Sequence, residues 1–157
     1  MQFSTLFLSA AALLPIAFAA PSPVPAAGPT SGTVDIKIGE AYDNAGLSML
    51  STSCSDGVNG LSTKWATVGA VPNYPFVGAG PMIQWNSPQC GNCFSITYQG
   101  KTTKTIYVTA IDSTGGAMNF NIATAAFSVL TGGNTALGNV KATYAPADIK
   151  MCAFPSK

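Results

Sequence analysis

Cys93-Phe-Ser-Ile-Thr-Tyr-Gln-Gly-Lys-Thr-Thr-Lys-Thr-Ile-Tyr-Val-Thr-Ala-Ile-Asp112 is the stretch whose reading decides the fold. Phe94, Ile96 and Tyr98 alternate with Ser95 and Thr97, the period-two mark of a half-buried strand. Gln99-Gly100-Lys101 reads as a turn. Thr105 to Ile111 is β-branched and aromatic, and pairs back as the second strand of a hairpin. Outward from this hairpin, Val34-Asp-Ile-Lys-Ile38 alternates likewise, and Asn139 to Tyr144 is a late strand. Ala79 to Trp85 is a further candidate, with Pro81 confining its start to an edge. One helix is predicted. Asn119 or Asn121 caps it, Ile122, Ala125, Ala126 and Val129 repeat at helical spacing, and Gly132-Gly133 supplies a left-handed stop. Short strands, few helices and frequent Gly and Pro turns predict a mainly β domain with minor helices, a small barrel with helices packed outside.

The first 19 residues read as an export signal. Phe3 to Phe18 is an uncharged apolar run ending in Ala17-Phe18-Ala19, too short for a comfortable membrane span, and cleavage is expected after Ala19. Residues 20–33 hold four prolines among small residues, a linker or short pro-segment of extended chain. The domain then occupies 34–157, and nothing later in the chain is long and apolar enough to span a bilayer. A secreted, extracellular protein is expected. Its four cysteines, Cys54, Cys90, Cys93 and Cys152, read as two disulfides with three possible pairings in an oxidising compartment. The Cys90-x-x-Cys93 spacing also suits zinc or a redox pair. The chain has no His and no second close cysteine pair, so no metal and no other cofactor is expected.

Charge excludes partners. There are seven Lys, no Arg and a formal net charge of +1. Nucleic acid needs a dense basic face, which seven scattered lysines do not make. A surface of Ser, Thr, Asn, Gln and Gly suits neutral partners such as glycans. No His means no Ser-His-Asp or Cys-His catalytic site.

More specific patterns follow in order along the chain: Cys54-Ser-Asp-Gly-Val-Asn-Gly-Leu61, Pro72-Asn-Tyr-Pro-Phe-Val-Gly78, and Trp85-Asn-Ser-Pro-Gln-Cys-Gly-Asn-Cys93. Ile106-Tyr-Val-Thr-Ala-Ile-Asp112, Phe120-Asn-Ile-Ala123, Leu130-Thr-Gly-Gly-Asn134 and Cys152 complete the series. Together they resemble the cerato-platanin family of small secreted fungal proteins, over essentially the whole domain. The resemblance implies a six-stranded double-psi β-barrel related to that of expansins, with Cys54 joined to Cys90 and Cys93 to Cys152. It also implies binding of chitin-type N-acetylglucosamine oligomers, wall loosening without hydrolysis, and recognition by a plant host receptor as a defence elicitor. Cellulose and β-glucan are further candidate polysaccharides. The chain departs from the family pattern at Phe94, where members often carry Trp, and at Ser113, where several carry His.

Each candidate residue has two readings. Asp112 is either an Asx-turn residue closing its strand or, as the family match implies, a carboxylate in the glycan groove. Asn121 and Asn119 either cap the helix or offer amides to a sugar acetamide. Tyr42 and Asp43 either pack or wall the groove. Asp56-Gly57 and Asn59-Gly60 read as paired turns beside Cys54. Trp65, Tyr74, Phe76 and Trp85 either stack on sugar rings or anchor loops. Asp112 has no recognisable second catalytic carboxylate, so the lead reading is a non-catalytic binder. An inverting glycoside hydrolase of related barrel fold, and a surface-active wall protein without a discrete sugar site, are the alternatives.

Overall fold

The computed structural model describes residues 31–153, so the signal segment and most of the proline-rich stretch lie outside the described residues. The predicted alternation builds a barrel. Strands β1 (Gly32–Ile38), β2 (Val77–Gly80), β3 (Cys93–Gln99), β4 (Thr103–Ser113), β5 (Asn119–Ile122) and β6 (Asn139–Ala147) are joined by helix α1 (Thr124–Thr131) between β5 and β6. They close in the order β1-β5-β2-β4-β3-β6. Pairings β1/β5 and β2/β4 are parallel, and those of β3 with β4 and β6, β1 with β6, and β2 with β5 are antiparallel. The hairpin runs in register from Cys93 opposite Thr109 to Gln99 opposite Thr103.

Residues alternating inward fill the interior: Val34 and Ile36, Phe94 and Ile96, Ile106, Val108 and Ala110, Phe120 and Ile122, and Val140, Ala142 and Tyr144 are all buried. Phe94, Phe120 and Tyr144 meet ring to ring, with centroids 5.3–6.2 Å apart. Phe94 is thus part of an aromatic cluster inside the barrel.

Two local readings need correction. The strand expected over residues 79–85 is Val77–Gly80. It lies between β4 and β5 with all four residues buried, so no alternation marks it. Gly78 is obligatory: a Cβ there would strike the backbone carbonyl of Asn121. The helix also starts later than predicted. Asn119 and Asn121 lie in β5, and α1 begins after Ala123, whose side chain gives no cap. The buried stripe is Ala126, Phe127 and Leu130, while Ala125 is exposed and Val129 half-exposed. The stop is as predicted. Gly132 is left-handed at φ 68°, and Gly133 N–H donates to the Ser128 carbonyl at 2.7 Å.

The long connection between β1 and β2 buries Met49, Leu61, Val68 and Val71 in the core and is also stapled. Cys54 pairs with Cys90 and Cys93 with Cys152, with Cα separations of 5.4 and 5.7 Å. This is the pairing that the family resemblance implied, and among the described residues no cysteine is free.

Candidate functional site

The site begins with an irregularity. β2 and β4 run in step at Val77–Thr109 and Gly78–Ala110, then Ala79 pairs with Asp112 and Ile111 is skipped. Ile106, Val108 and Ala110 face the interior, so regular continuation would aim Asp112 inward as well. One extra residue flips it onto the outer side, the usual effect of a β-bulge on a functional side chain. Asn121 of β5 pairs with the same Ala79 from the other edge. The sheet therefore presents Asn121, Ala79 and Asp112 as a row across three strands, about 10 Å end to end at ordinary strand spacing.

Tyr42 closes this row. It lies on a 3₁₀ turn, Glu40–Asp43, directly after β1. Gly39 sits beneath it: a Cβ there would come within 2.9 Å of the Tyr42 ring and 3.2 Å of Asn121 Cβ. The buried Tyr42 phenol donates to Asp112 Oδ2 at 2.9 Å. Asp112 Oδ1 accepts the Ser53 N–H at 2.8 Å and the Ser113 N–H at 2.7 Å. A carboxylate has about four lone-pair sites, so three are filled and one is left open. Burial, and then the Asp112 carboxylate, hold the Tyr42 phenol well above the ordinary tyrosine range. Tyr42 thus stays a hydrogen-bond donor at any physiological pH.

The other candidates divide. Asn121 is half-buried, and among the described residues its amide has no protein partner. Asn119 is buried two residues earlier on the same face, and its Oδ1 has no hydrogen-bond partner. Asp43 accepts the Thr124 N–H at 2.7 Å and the Thr124 hydroxyl at 2.6 Å. It is the cap of α1, supplied from 81 residues away, and it replaces the asparagines in that role. Tyr74 donates to the Asp43 carbonyl at 2.8 Å and holds the same turn. Ser53, Gly39 and Ala79 complete the site but carried no sequence signal beyond their neighbours. A depression of about 350 Å³ lies elsewhere, between the β3–β4 turn and the end of α1, lined by Tyr98, Lys101, Lys104 and Asn134. It shares no residue with the row at Ala79, in which Ala79 is buried and Asn121 and Asp112 are half-buried.

The sequence and the fold match known proteins. The family described as cerato-platanin matches residues 34–154. "Allergen Asp f 15" of Aspergillus fumigatus is 46% identical over 155 residues, covering 98% of each chain. The crystal structure of cerato-platanin 2 from M. perniciosa superposes with a TM-score of 0.72 at 40% identity, over 78% of this chain and all of that one. A Clavibacter michiganensis expansin mutant, crystallised in complex with cellohexaose, shares the fold at a TM-score of 0.53 and 16% identity, over 75% of this chain and 50% of that one. The double-psi barrel expected from the sequence is the observed architecture.

Proposed function

The chain belongs to the cerato-platanin family, and from that premise we propose that it is a secreted, non-catalytic polysaccharide-binding protein. Its groove is the row Asn121–Ala79–Asp112 with Tyr42 at its edge. The observation that carries this reading is the bulge that turns Asp112 outward beside Asn121, with a small alanine between them. One open carboxylate lone pair and one unpartnered amide offer an acceptor and a donor–acceptor pair across a shallow surface, which suits ring hydroxyls and an acetamide. N-acetylglucosamine oligomers are the proposed ligand, with cellulose-type chains as the second candidate. Asp43 and Asn119 support the groove, one through the helix cap and the other from two residues along β5 on the same face.

The non-hydrolytic reading has its own support. Inverting and retaining glycosidases use paired carboxyls, one kept protonated by an apolar pocket. Here Asp112 already accepts from three protein donors and Asp43 is held on Thr124. Neither sits in an apolar pocket.

Calorimetric titration of chitin oligomers and cellohexaose tests the reading, with reducing-sugar release measured alongside. We expect binding without release. Asp112→Asn should weaken binding about tenfold to a hundredfold, from the loss of a charge-assisted bond. Sugar release that Asp112→Asn abolishes would favour the hydrolase. Absence of binding to every oligomer would favour a wall protein without a discrete site. The elicitor role implied by family membership is separate, and leaf infiltration with wild type and Asp112→Asn shows whether it depends on the groove.

A further inference from the structure

Beside the groove, two loops are locked together around an exposed indole. Asn59 N–H donates to Asn86 Oδ1 at 2.8 Å, and its amide donates to the Asn86 carbonyl at 2.9 Å. Asn86 takes a left-handed φ of 56° to reach them. Gly57, at φ 87°, lies against the Asn86 amide, where a Cβ would come within 2.6 Å. The Cys54–Cys90 disulfide joins the same two loops. On this clasp Trp85 is 63% exposed, yet its Nε1 donates to Asp56 Oδ1 at 2.7 Å. Ser55 donates to the same oxygen at 3.1 Å. The Trp85 bond first, and then the Ser55 bond, hold the Asp56 carboxyl below the usual range.

The other candidate aromatics do something else. Phe76 is buried, and Trp65 and Tyr74 pack against the core. Trp85 leaves most of its apolar surface in water, so burial does not explain the residue. A water-exposed hydrogen bond adds little stability, but it fixes the plane of the ring. A flat apolar face, oriented in advance and set among Ser, Asn and Gly, matches a ligand with alternating apolar and hydroxylated faces. A pyranose is such a ligand, since its axial C–H groups present an apolar side.

Position makes Trp85 continuous with the groove. Asp56 is three residues from Ser53, whose N–H holds Asp112, so the two Cα atoms are at most about 11 Å apart. Cys54 N–H also donates to the Ile111 carbonyl at 3.3 Å, which ties the clasp to the bulge itself. We infer that Trp85 is a stacking platform for a sugar ring of the same polysaccharide, beyond the one held at Asp112. This rests on the proposed polysaccharide binding. It adds a chain-length requirement: a short oligomer reaches only the groove, whereas a long one reaches the groove and the indole together.

Titrations of the N-acetylglucosamine trimer and hexamer against wild type, Trp85→Ala, Trp85→Phe and Asp56→Ala test it, with melting curves for each. Wild type should bind the hexamer more tightly than the trimer and show a hexamer-dependent change in tryptophan fluorescence. That change should vanish in Trp85→Phe, which leaves only the half-buried Trp65. Trp85→Ala should weaken hexamer binding roughly tenfold and leave the trimer unchanged. Trp85→Phe and Asp56→Ala, which keep a ring without its clamp, should fall between. Unchanged hexamer affinity in folded Trp85→Ala overturns the platform while the groove stands. An equal loss for trimer and hexamer also overturns it, because Trp85 then acts by holding the loop. If wild type binds neither oligomer, both the groove and the platform fall.

Discussion

Replacing Asp112 by alanine removes the acceptor for three protein donors at once. Two of them, the Ser53 and Ser113 N–H groups, lie half-buried and recover part of their hydration. The third, the Tyr42 hydroxyl, is buried on a side chain only 7% exposed. Hydrogen bonds to a charged group are worth about 1.5–3 kcal/mol, and an orphaned buried donor costs about 1–3 kcal/mol. Allowing for the hydration regained, Asp112→Ala should cost about 3–5 kcal/mol. For a domain this size that is a fall of roughly 10–20 °C in Tm. Asp112→Asn keeps a carbonyl for both N–H groups and sets an amide against the Tyr42 oxygen, which must turn from donor to acceptor. It should cost only about 1 kcal/mol. Urea denaturation of Asp112→Ala, Asp112→Asn, Tyr42→Phe and the Asp112→Ala/Tyr42→Phe double variant measures these terms. A coupling of about 1–2 kcal/mol between Tyr42 and Asp112 is expected from the cycle. If Asp112→Ala lies within about 0.5 kcal/mol of wild type, or the two substitutions simply add, the carboxylate does not anchor the site.

Three further outcomes follow from other contacts. Asp43→Ala should lower stability by about 1 kcal/mol and raise amide exchange in the first turn of α1, while Asp43→Asn recovers most of the loss, since asparagine is as good a cap. The Tyr42 pKa is raised in the folded state, so its contribution is complete below the unfolded value near 10 and is lost as pH rises beyond it. Chemical denaturation from pH 9 to 12 should therefore show a fall of up to about 1.4 kcal/mol per pH unit from this group, absent in Tyr42→Phe. Removing the Cys93–Cys152 bridge, which spans 59 residues, should cost about 4 kcal/mol by loop entropy, read from the denaturation midpoint of the double alanine variant.

How much of this was legible depended on whether a residue's partners were local. The β3–β4 hairpin, β1 and β6 are each half-buried, so the alternation of Phe94, Ile96, Val34 and Ile36 shows directly in the chain. β2 and β5 are four residues each and lie side by side within the barrel. Their neighbours on both edges fix them; Val-Gly-Ala-Gly carries no period, and Asn-Phe-Asn-Ile alternates over too few residues to be told from a helix start. The helix cap failed for the same reason. A capping asparagine was sought next to α1, whereas the acceptor is Asp43, brought there from the end of β1. The disulfide pairing was carried by the family resemblance, because the cysteine spacing alone left three pairings open. Asp112 was found as a residue, but its outward aim depends on the skipped Ile111, a register shift that no window of sequence contains.

The two readings of Asp112 that the sequence offered are not rivals in the structure. Its Oδ1 closes the strand end on the Ser113 N–H, as an Asx-turn residue does, and reaches the Ser53 N–H of the stapled loop. Its Oδ2 holds Tyr42 against Gly39 and Asn121. A groove residue needs a fixed position before it can discriminate among hydroxyls, and in a chain so poor in charge that position comes from backbone donors and one phenol rather than from ion pairs. Four of the other five carboxylates are used similarly: Asp43 on Thr124, Asp56 on Trp85, Asp148 on the Lys150 N–H, and Asp35 on Lys141, while among the described residues Glu40 makes no such contact. Acidic groups spent as acceptors within the fold are poorly placed to act on a glycosidic oxygen, since their oxygens are turned toward protein donors. The same contacts give the surface a rigid set of acceptors and one oriented ring. Such a surface supports the proposed reading, in which a sugar chain is held and not cut.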